Sequence, residues 1–349
     1  MPVGSRQRRR DRLPPRLDAV EVVVLYTPVL ASKGWTAQDL LADQETEQVA
    51  AHIAAALQNH AAGVKIMPCK PNLKACLAKL DPSRHLIFNL CEGQLGRKGS
   101  EAQIARMMSE RGFVHTGASY SALARTANKW TTKKILQANG LPTPAYQIIR
   151  HATDWELEIP APVMVKPIAE DGSIGITQRS LARTDDEVLP LVQEHLKKYQ
   201  QAVLLEEFIA GREINVAIWG DATPRILPIA EIDFTWTDDP FEKFVTYASK
   251  WIDDSPEFSG TPGICPARLT TKERKTIEEI SLQCWQHLHL SGYARIDMRL
   301  RDGIPFILEV NANPDLAPDA GFFRSATAAG YSYEAMILHI AHLALNPRV

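Results

Sequence analysis

Residues 292–311 carry the residue types that most directly suggest chemistry. Two predicted strands separated by a short turn each alternate polar and apolar residues, so each strand has one polar face. These faces carry Arg295, Asp297 and Arg299 in the first strand and Ile307, Glu309 and Asn311 in the second. A bulge or a three-residue loop sets Asp297 opposite Glu309, whereas a two-residue loop sets it opposite Leu308. We predict the register that pairs Asp297 with Glu309.

In that register two carboxylates and an amide oxygen converge from adjacent strands. Such a cluster is unfavourable unless a cation neutralises it, and these oxygen atoms are ligands that suit Mg²⁺. We therefore predict a metal site made by Asp297, Glu309 and Asn311. The alternative is an ordinary solvated face of a two-sided antiparallel hairpin.

A second segment of chemical interest is the glycine-rich stretch of residues 163–176. Gly172 and Gly175 free the backbone around Ser173 to present N–H groups to an anion, and Lys166 closes the preceding strand as a positive charge. The P-loop pattern is absent, and predicted strands flank the stretch where a P-loop would begin a helix. On its own the pattern is more typical of a hairpin turn.

The secondary-structure elements that position these residues follow two different patterns along the chain. Residues 20–120 alternate apolar strands with amphipathic helices, which predicts a parallel sheet with helices on its faces. A helix is then predicted over residues 122–139, because Gly140 and Pro142 end the pattern. After it the sequence predicts two sets of paired strands: residues 162–166 with 175–177, and residues 202–206 with 213–219.

We therefore predict an α/β region followed by α+β regions. The predicted units are a basic flexible tail over residues 1–19, an N-terminal α/β domain over 20–120, a central subdomain over 121–210, and a C-terminal subdomain over 211–349 with a lid loop at about 235–262.

The composition of the 349 residues limits the classes of protein. A hydrophobic fraction of 45% with 23% charged residues excludes collagen-like, coiled-coil and wholly disordered chains, and no apolar run is long enough to span a membrane. The arginine-rich tail could bind nucleic acid, but the formal net charge of −2 leaves the remainder acidic, which argues against nucleic acid as the main partner. Five cysteines without a Cys-x-x-Cys pair indicate reduced thiols in a cytoplasmic protein.

Together these segments resemble the ATP-grasp fold and, within it, the D-alanine–D-alanine ligase family. The resemblance extends in order over about residues 85 to 345. Further matching segments are residues 89–93, 115–119, 127–144, 204–213, 244–250, 264–267 and 328–334. It implies a three-domain ATP-grasp architecture with an N-terminal parallel, Rossmann-like sheet.

The resemblance also implies ATP with Mg²⁺ or Mn²⁺ and a role for each matching residue. The implied nucleotide residues are Lys129 and Lys166 at the α- and β-phosphates, the flap residues Gly172, Ser173 and Gly175, Glu206, Glu207, Phe208 and Ile209 at adenine, and Glu213 at the ribose hydroxyls. The implied catalytic residues are Lys250 at the γ-phosphate, Arg295 at developing oxyanion charge, and Ser173.

The activity implied is that of a carboxylate–amine ligase acting on two small, amino-acid-like molecules. A substrate carboxylate attacks the γ-phosphorus to give an acyl phosphate, and an amine then displaces phosphate. One alternative is a genuine D-alanine–D-alanine ligase of cell-wall precursor synthesis, and another is a nucleotide-binding regulator without turnover. A homodimer is also implied, with neither nucleic acid nor a membrane as partner.

Three departures from the family pattern surround the predicted amino-acid pocket. The usual Gly-Gly-x-Ser-x-Glu stretch is absent, and Glu45 or Glu47 either replaces its glutamate or is an ordinary acid near a helix N-terminus. Asp315 and Asp319 either favour a cationic amine substrate or are turn residues beside proline. In the lid, Trp251 follows Lys250 where tyrosine is usual, with Tyr247 nearby as a further candidate substrate contact.

Overall fold

A computed structural model describes residues 16–28, 37–69, 73–91, 100–153, 156–169, 173 and 175–346, with the backbone alone for residues 37–45. Most of the predicted basic tail and the flap residue Gly172 lie outside this part of the chain. Three β-sheets form the scaffold of the described residues. No helix within these ranges is long and apolar enough to cross a bilayer.

The first sheet is parallel, which confirms the prediction for the N-terminal region. Its strands, in the order β2-β1-β3-β4, are β1 (Glu21–Tyr26), β2 (Gly63–Pro68), β3 (His85–Leu90) and β4 (Val114–His115). The helices of this region are α1 (Ala37–Leu57), α2 (Leu73–Leu77) and α3 (Glu101–Glu110). The central strand β1 is almost wholly buried, which explains its unbroken apolar sequence.

The second sheet is antiparallel and lies in the middle of the chain. Its strands, in the order β5-β8-β6-β7, are β5 (Tyr146–Ile149), β6 (Val163–Pro167), β7 (Leu181–Ala182) and β8 (Val203–Glu207). The helices of this part are α4 (Tyr120–Thr126), α5 (Lys129–Ala138) and α6 (Asp185–Tyr199). Helix α6 begins with a capping box in which Thr184 and Glu187 satisfy each other's backbone N–H groups.

The third sheet is also antiparallel and carries the predicted metal hairpin. Its strands are β9 (Arg212–Gly220), β10 (Arg225–Ile226), β11 (Ala230–Ile232), β12 (Gly263–Ile264), β13 (Gly292–Arg301) and β14 (Ile304–Asn311). They are arranged β12-β11-β9-β13-β14, with β10 paired to β9. The remaining helices are α7 (Ala248–Trp251), α8 (Pro256–Ser259), α9 (Thr271–Leu288), α10 (Gly321–Ala328) and α11 (Tyr333–Leu345).

Three predictions about the middle of the chain are wrong. The helix predicted over residues 122–139 is two helices, because Asn128 is extended and its side chain accepts a hydrogen bond from the Thr131 N–H to begin α5. Residues 175–177 form no strand, and β6 pairs instead with β7 and β8. Strands β8 and β9 do not pair with each other: β8 belongs to the second sheet and β9 to the third.

The hydrophobic core joins the first sheet to the third. One cluster packs Val24 of β1 with Trp219 of β9, Tyr293 of β13 and Met336 of α11, all nearly or fully buried. A second cluster connects Ile87 of β3 to further residues of β9 and β13 and to helix α9. Strands β9 and β13 therefore have packed supports on both sides, so they offer fixed positions for the polar side chains described next.

Candidate active site

The hairpin of β13 and β14 brings the predicted metal ligands together. Asp297 lies opposite Glu309, and Arg295 lies opposite Asn311, which confirms the predicted register. The turn consists of Asp302-Gly303, with φ angles of 54° and 77°, as a two-residue hairpin turn requires.

A bulge, one of the two predicted possibilities, reconciles this short turn with the polar pairing. The register shifts between Asp297 and Met298, so that Met298 pairs with Ile307 and Leu308 is the extra residue. The predicted place of Ile307 on the polar face is therefore wrong, because the bulge turns this side chain into the core, where it is fully buried.

Asp297 is the centre of a hydrogen-bonded network. Arg295 donates from Nε and Nη2 to its two carboxylate oxygens, each at 2.8 Å. Asn215 of β9 donates to Oδ1 at 2.8 Å, and Asn311 donates to Oδ2 at 3.0 Å. Burial alone lowers the pKa of Arg295, but Asp297 and then Glu309 raise it above its usual value. The guanidinium is thus a permanent charge fixed in orientation by a bidentate pair.

The donor set at this hairpin fits a hard divalent cation. Burial raises the pKa of Glu309, but Lys129, Lys250 and Arg295 lower it overall, so Glu309 is an ionised oxygen donor at neutral pH. Asp297 lies directly opposite on the neighbouring strand. Asn311 directs its amide nitrogen at Asp297, and a half-turn of the amide presents the oxygen in its place. The three side chains together supply the hard oxygen ligands that Mg²⁺ prefers.

Four cations surround this carboxylate pair, and we call them the cationic cluster: Lys129, Lys166, Lys250 and Arg295. Lys129 begins helix α5, and its Nζ lies 3.3 Å from Glu309 Oε1. Lys250 lies on α7 and reaches solvent, but the atoms packed around its ammonium lower its pKa, and Arg295 lowers it further. Lys166 also pairs with Glu206, and the other three cations face two carboxylates, so the site has a surplus of positive charge that suits a polyphosphate.

A buried ionic network lies behind Lys166. Lys166 Nζ is 2.5 Å from Glu206 Oε1, and Lys133 Nζ is 2.6 Å from Glu206 Oε2. Burial raises the pKa of Glu206, but the two ammonium groups outweigh it and lower the pKa to about 2. Lys133 also donates to the Thr143 hydroxyl, which donates in turn to the Ile307 carbonyl of β14. Glu206 thus fixes Lys166 at the second sheet and ties this sheet to the metal hairpin.

The predicted adenine and ribose residues follow at the end of β8 and the start of β9. Phe208 and Ile209 are buried, and Phe208 packs against Phe241 and Phe244 of the predicted lid. The Glu207 side chain is bound elsewhere, by Arg301 at 3.0 Å.

Glu213 is buried on the same sheet as the metal hairpin. Burial raises its pKa, while Arg299, whose Nη1 lies 3.1 Å away, is the first of the groups that lower it. A buried carboxylate held in one orientation is suited to accept hydrogen bonds from two vicinal hydroxyls.

The flap and the lid are joined to each other. Ser173 and Gly175 both have positive φ, 64° and 80°, and a Cβ at Gly175 would meet Pro167 and Tyr199. The Tyr247 N–H donates to the Ile176 carbonyl at 2.8 Å.

A side-chain latch adds to this contact. Arg183, which follows the flap, lies 2.9 Å from Asp239 Oδ2 and 3.7 Å from Glu242 of the lid. Within the lid, the rings of Tyr247 and Trp251 lie 6.3 Å apart. These contacts hold residues of the predicted lid against the flap.

The predicted substrate residues are divided between two places. Asp315 lies near Arg295: surrounding protein raises its pKa, a hydrogen bond from the Ala317 N–H lowers it, and Arg295 lowers it further. Asp319 lines a separate pocket of about 390 Å³ together with Ala320 and Arg324. The side chain of Glu45 lies outside the described residues.

Three functional side chains of this site were not assigned from the sequence: Lys133, Asn215 and Arg299. Lys133 lies one helical turn after Lys129, and Asn215 shares a strand face with Glu213, so periodicity offers a signal for both. Arg299 was placed on the polar face of β13 without a role.

The three sheets and the cationic cluster between the second and the third define an ATP-grasp protein. The chain superposes on the D-alanine–D-alanine ligase of Bacillus anthracis, solved in complex with ATP, with a TM-score of 0.70, covering 94% of this chain and 98% of that one. A second structure of the Bacillus anthracis ligase matches equally well, with a TM-score of 0.70. Sequence identities of 22% and 23% make these matches evidence of the fold alone.

Sequence comparison establishes the family. Residues 135–342 match the model of the D-ala D-ala ligase C-terminus. A D-alanine–D-alanine ligase of Aromatoleum aromaticum is 30% identical over 70% of this chain and 75% of its own length. The uncharacterized protein y4sG of Sinorhizobium fredii is 32% identical over 74% of each chain. The chain therefore belongs to the D-alanine–D-alanine ligase family, whose members are ATP-dependent ligases that form C–N bonds.

Proposed function

We propose that this chain joins two amino-acid-like substrates, one through its carboxylate and the other through its amine, with ATP and Mg²⁺. The observation that carries this proposal is the cationic cluster facing the carboxylate pair of β13 and β14. This much clustered charge is not needed to stabilise the fold, whereas transfer of a phosphoryl group between two anions requires it.

In this proposal the nucleotide lies between the second and third sheets. Lys129 and Lys166 bind the α- and β-phosphates, with Ser173 and Gly175 of the flap above them. The backbone at Phe208 and Ile209 contacts adenine, while Glu206, whose carboxylate is buried between Lys133 and Lys166, holds Lys166 at the phosphates. The Glu213 carboxylate accepts hydrogen bonds from the ribose hydroxyls, and Lys250 of the lid reaches the γ-phosphate. Two observations support these placements: the surplus of positive charge in the cationic cluster, and the packing of Phe208 against Phe241 of the predicted lid.

Mg²⁺ or Mn²⁺ would be held by Asp297, Glu309 and Asn311. When bound, the ion neutralises phosphate charge and orients the phosphates for in-line transfer. Asp297 keeps its orientation because Arg295 and Asn215 bind it, so the chain supplies positioned ligands around a rigid pair of strands.

The chain's own groups then act on the substrates. A substrate carboxylate oxygen attacks the γ-phosphorus, the bond to the β-phosphate oxygen breaks, and ADP leaves. The amine nitrogen next attacks the acyl carbon of the acyl phosphate, phosphate leaves, and the amine loses a proton to solvent or phosphate. Arg295 stabilises the charge that develops on the carbonyl oxygen. The closed lid keeps water from the acyl phosphate.

The amine substrate is where we expect this chain to differ from a D-alanine–D-alanine ligase. Asp315 near Arg295 adds a negative charge at the reaction centre, which favours an amine carrying a further cationic group. Asp319 lines a separate pocket, so Asp315 bears most of this argument. The second candidate is D-alanine itself, favoured by the name of the Aromatoleum relative.

Cellular context and assembly follow as part of the same proposal. We place the enzyme in the cytoplasm, where ATP and reduced thiols occur together, and we expect a homodimer. The subdomain boundaries near residues 120 and 210 and the lid limits of 235–262 also stay predictions.

Incubation with ATP, Mg²⁺ and a mixture of D- and L-amino acids and diamines tests the proposal. Mass spectrometry should reveal an amide product whose formation matches the release of ADP. A cationic amine should be preferred over D-alanine, and Asp315→Asn should reduce that preference. Exclusive use of D-alanine would support the second candidate, and ADP release without any amide would contradict ligase activity on these substrates.

A further inference from the structure

Arg299 is a buried arginine that has no part in the reaction proposed above. It lies on β13 two residues beyond Asp297 and is 2% exposed. Three separate segments converge on it. Its Nε donates to the Ile209 carbonyl at 3.0 Å, and its Nη1 donates to Glu213 Oε2 at 3.1 Å and to the Lys243 carbonyl at 2.7 Å.

Burial of this side chain is only partly compensated. Its guanidinium carbon lies 5.5 Å from the centre of the Phe208 ring, which adds a cation–π contact. Its Nη2 is buried and has no hydrogen-bond partner among the described residues. Because an apolar residue often stabilises such a site as well as an ion pair does, stability alone explains Arg299 poorly.

The partners of Arg299 share one location, which is the predicted nucleotide end of the site. Ile209 follows the strand β8 that carries Glu206, Glu213 lies on β9, and Lys243 belongs to the lid. The planar guanidinium of Arg299 thus fixes the positions of Ile209, Glu213 and Lys243 relative to one another.

We propose that Arg299 is a positioning residue for the nucleotide sugar: it holds the Glu213 carboxylate toward the ribose hydroxyls and fixes the Ile209 and Lys243 backbone around it. The inference rests on the proposed nucleotide placement. Without Arg299, burial and the nearby Asp297 raise the pKa of Glu213 against Lys250, and the carboxylate loses its fixed orientation, so it binds the two hydroxyls less strongly.

The test compares Arg299→Met with the matched control Arg212→Met. Arg212 makes a bidentate pair with Glu231 and donates to the Arg268 carbonyl, so it has a similar set of partners, but none of them is a predicted nucleotide residue. Calorimetry gives the affinity of each full-length protein for ATP and for 2′-deoxy-ATP with Mg²⁺. The wild type and Arg212→Met should prefer ATP by about 10-fold to 100-fold, the range of a hydrogen bond to a charged group.

In Arg299→Met that preference should fall toward one, and ATP affinity should rise again with pH as Glu213 ionises. Arg299→Lys should recover part of the preference, because an ammonium still neutralises Glu213. The lysine variant and the pH profile also decide the matter if Arg299→Met does not fold. An unchanged preference in the Arg299 variants overturns this inference, while absence of ATP binding by the wild type overturns the proposed function itself.

Discussion

Replacing Lys133 by methionine probes the buried network that holds Lys166 in the cationic cluster. Lys133 and Glu206 are each 1% exposed, and Lys133 Nζ lies 2.6 Å from Glu206 Oε2. Methionine keeps the unbranched stem but removes the ammonium. Glu206 then retains only Lys166 as a counter-charge, in a place that water does not reach.

The size of the effect follows from the two partners. A pKa of about 2 for Glu206, against its ordinary 4.5, corresponds to about 3 kcal/mol of stabilisation of the folded state. Burial lowers the pKa of Lys133 in spite of Glu206, so the intact pair contributes less than this figure. Removing one partner of a buried pair costs about 3–5 kcal/mol, because the remaining charge is uncompensated. Since Lys166 stays, we expect a loss of about 3 kcal/mol.

Urea unfolding followed by circular dichroism measures this loss, with Lys134→Met as the matched control. Lys134 is the next residue of α5 and is exposed, with its ammonium over the Trp130 ring, so its replacement should cost less than about 0.5 kcal/mol. Adding Glu206→Gln to Lys133→Met should recover part of the stability, because the buried carboxylate is removed and the Lys166 ammonium, which then loses its partner, is the less deeply buried of the two groups. Equal losses in the two lysine variants would refute the reasoning.

Three further predictions concern the elements around the site. Asn128→Ala removes the cap of α5 and should lower the free energy of unfolding by about 1 kcal/mol in urea titrations, and an unchanged value would exclude the cap. Arg183→Gln breaks the pair with Asp239 and should raise ADP release in the absence of amine, whereas constant release would show that the latch does not hold the lid. The stability from Glu206 is complete above pH 4.5 and lost as the pH falls toward about 2; acid unfolding of Lys133→Met should therefore begin at higher pH than in the wild type.

Alternation along the strands was enough to predict the centre of the site. It placed Asp297 opposite Glu309 because only one register brings the polar faces together. The same alternation failed at Ile307, since a bulge reverses the side of every residue beyond it. The sequence allowed either a bulge or a three-residue loop, but the position of the bulge depends on how the two-residue turn and the strands fit the core.

The remaining failures have tertiary causes. Asn128 fits a helix interior by periodicity, but its side chain caps α5 and divides the predicted helix. Strands β8 and β9 follow each other closely, as hairpin strands do, yet they enter different sheets. Lysine and arginine usually lie at the surface, so their residue type gave no sign that Lys133 and Arg299 are buried. They are buried only because other segments of the chain pack over them.

Binding of Mn²⁺ with a non-hydrolysable ATP analogue tests most directly whether β13 and β14 hold a divalent ion against the nucleotide. Electron paramagnetic resonance should detect one ion that is bound more tightly with the analogue than without it. Glu309→Gln should weaken this binding by at least about 10-fold, while Glu110→Gln, which alters an exposed helical ion pair, should leave it unchanged. Equal Mn²⁺ affinity in the wild type and Glu309→Gln would contradict the account.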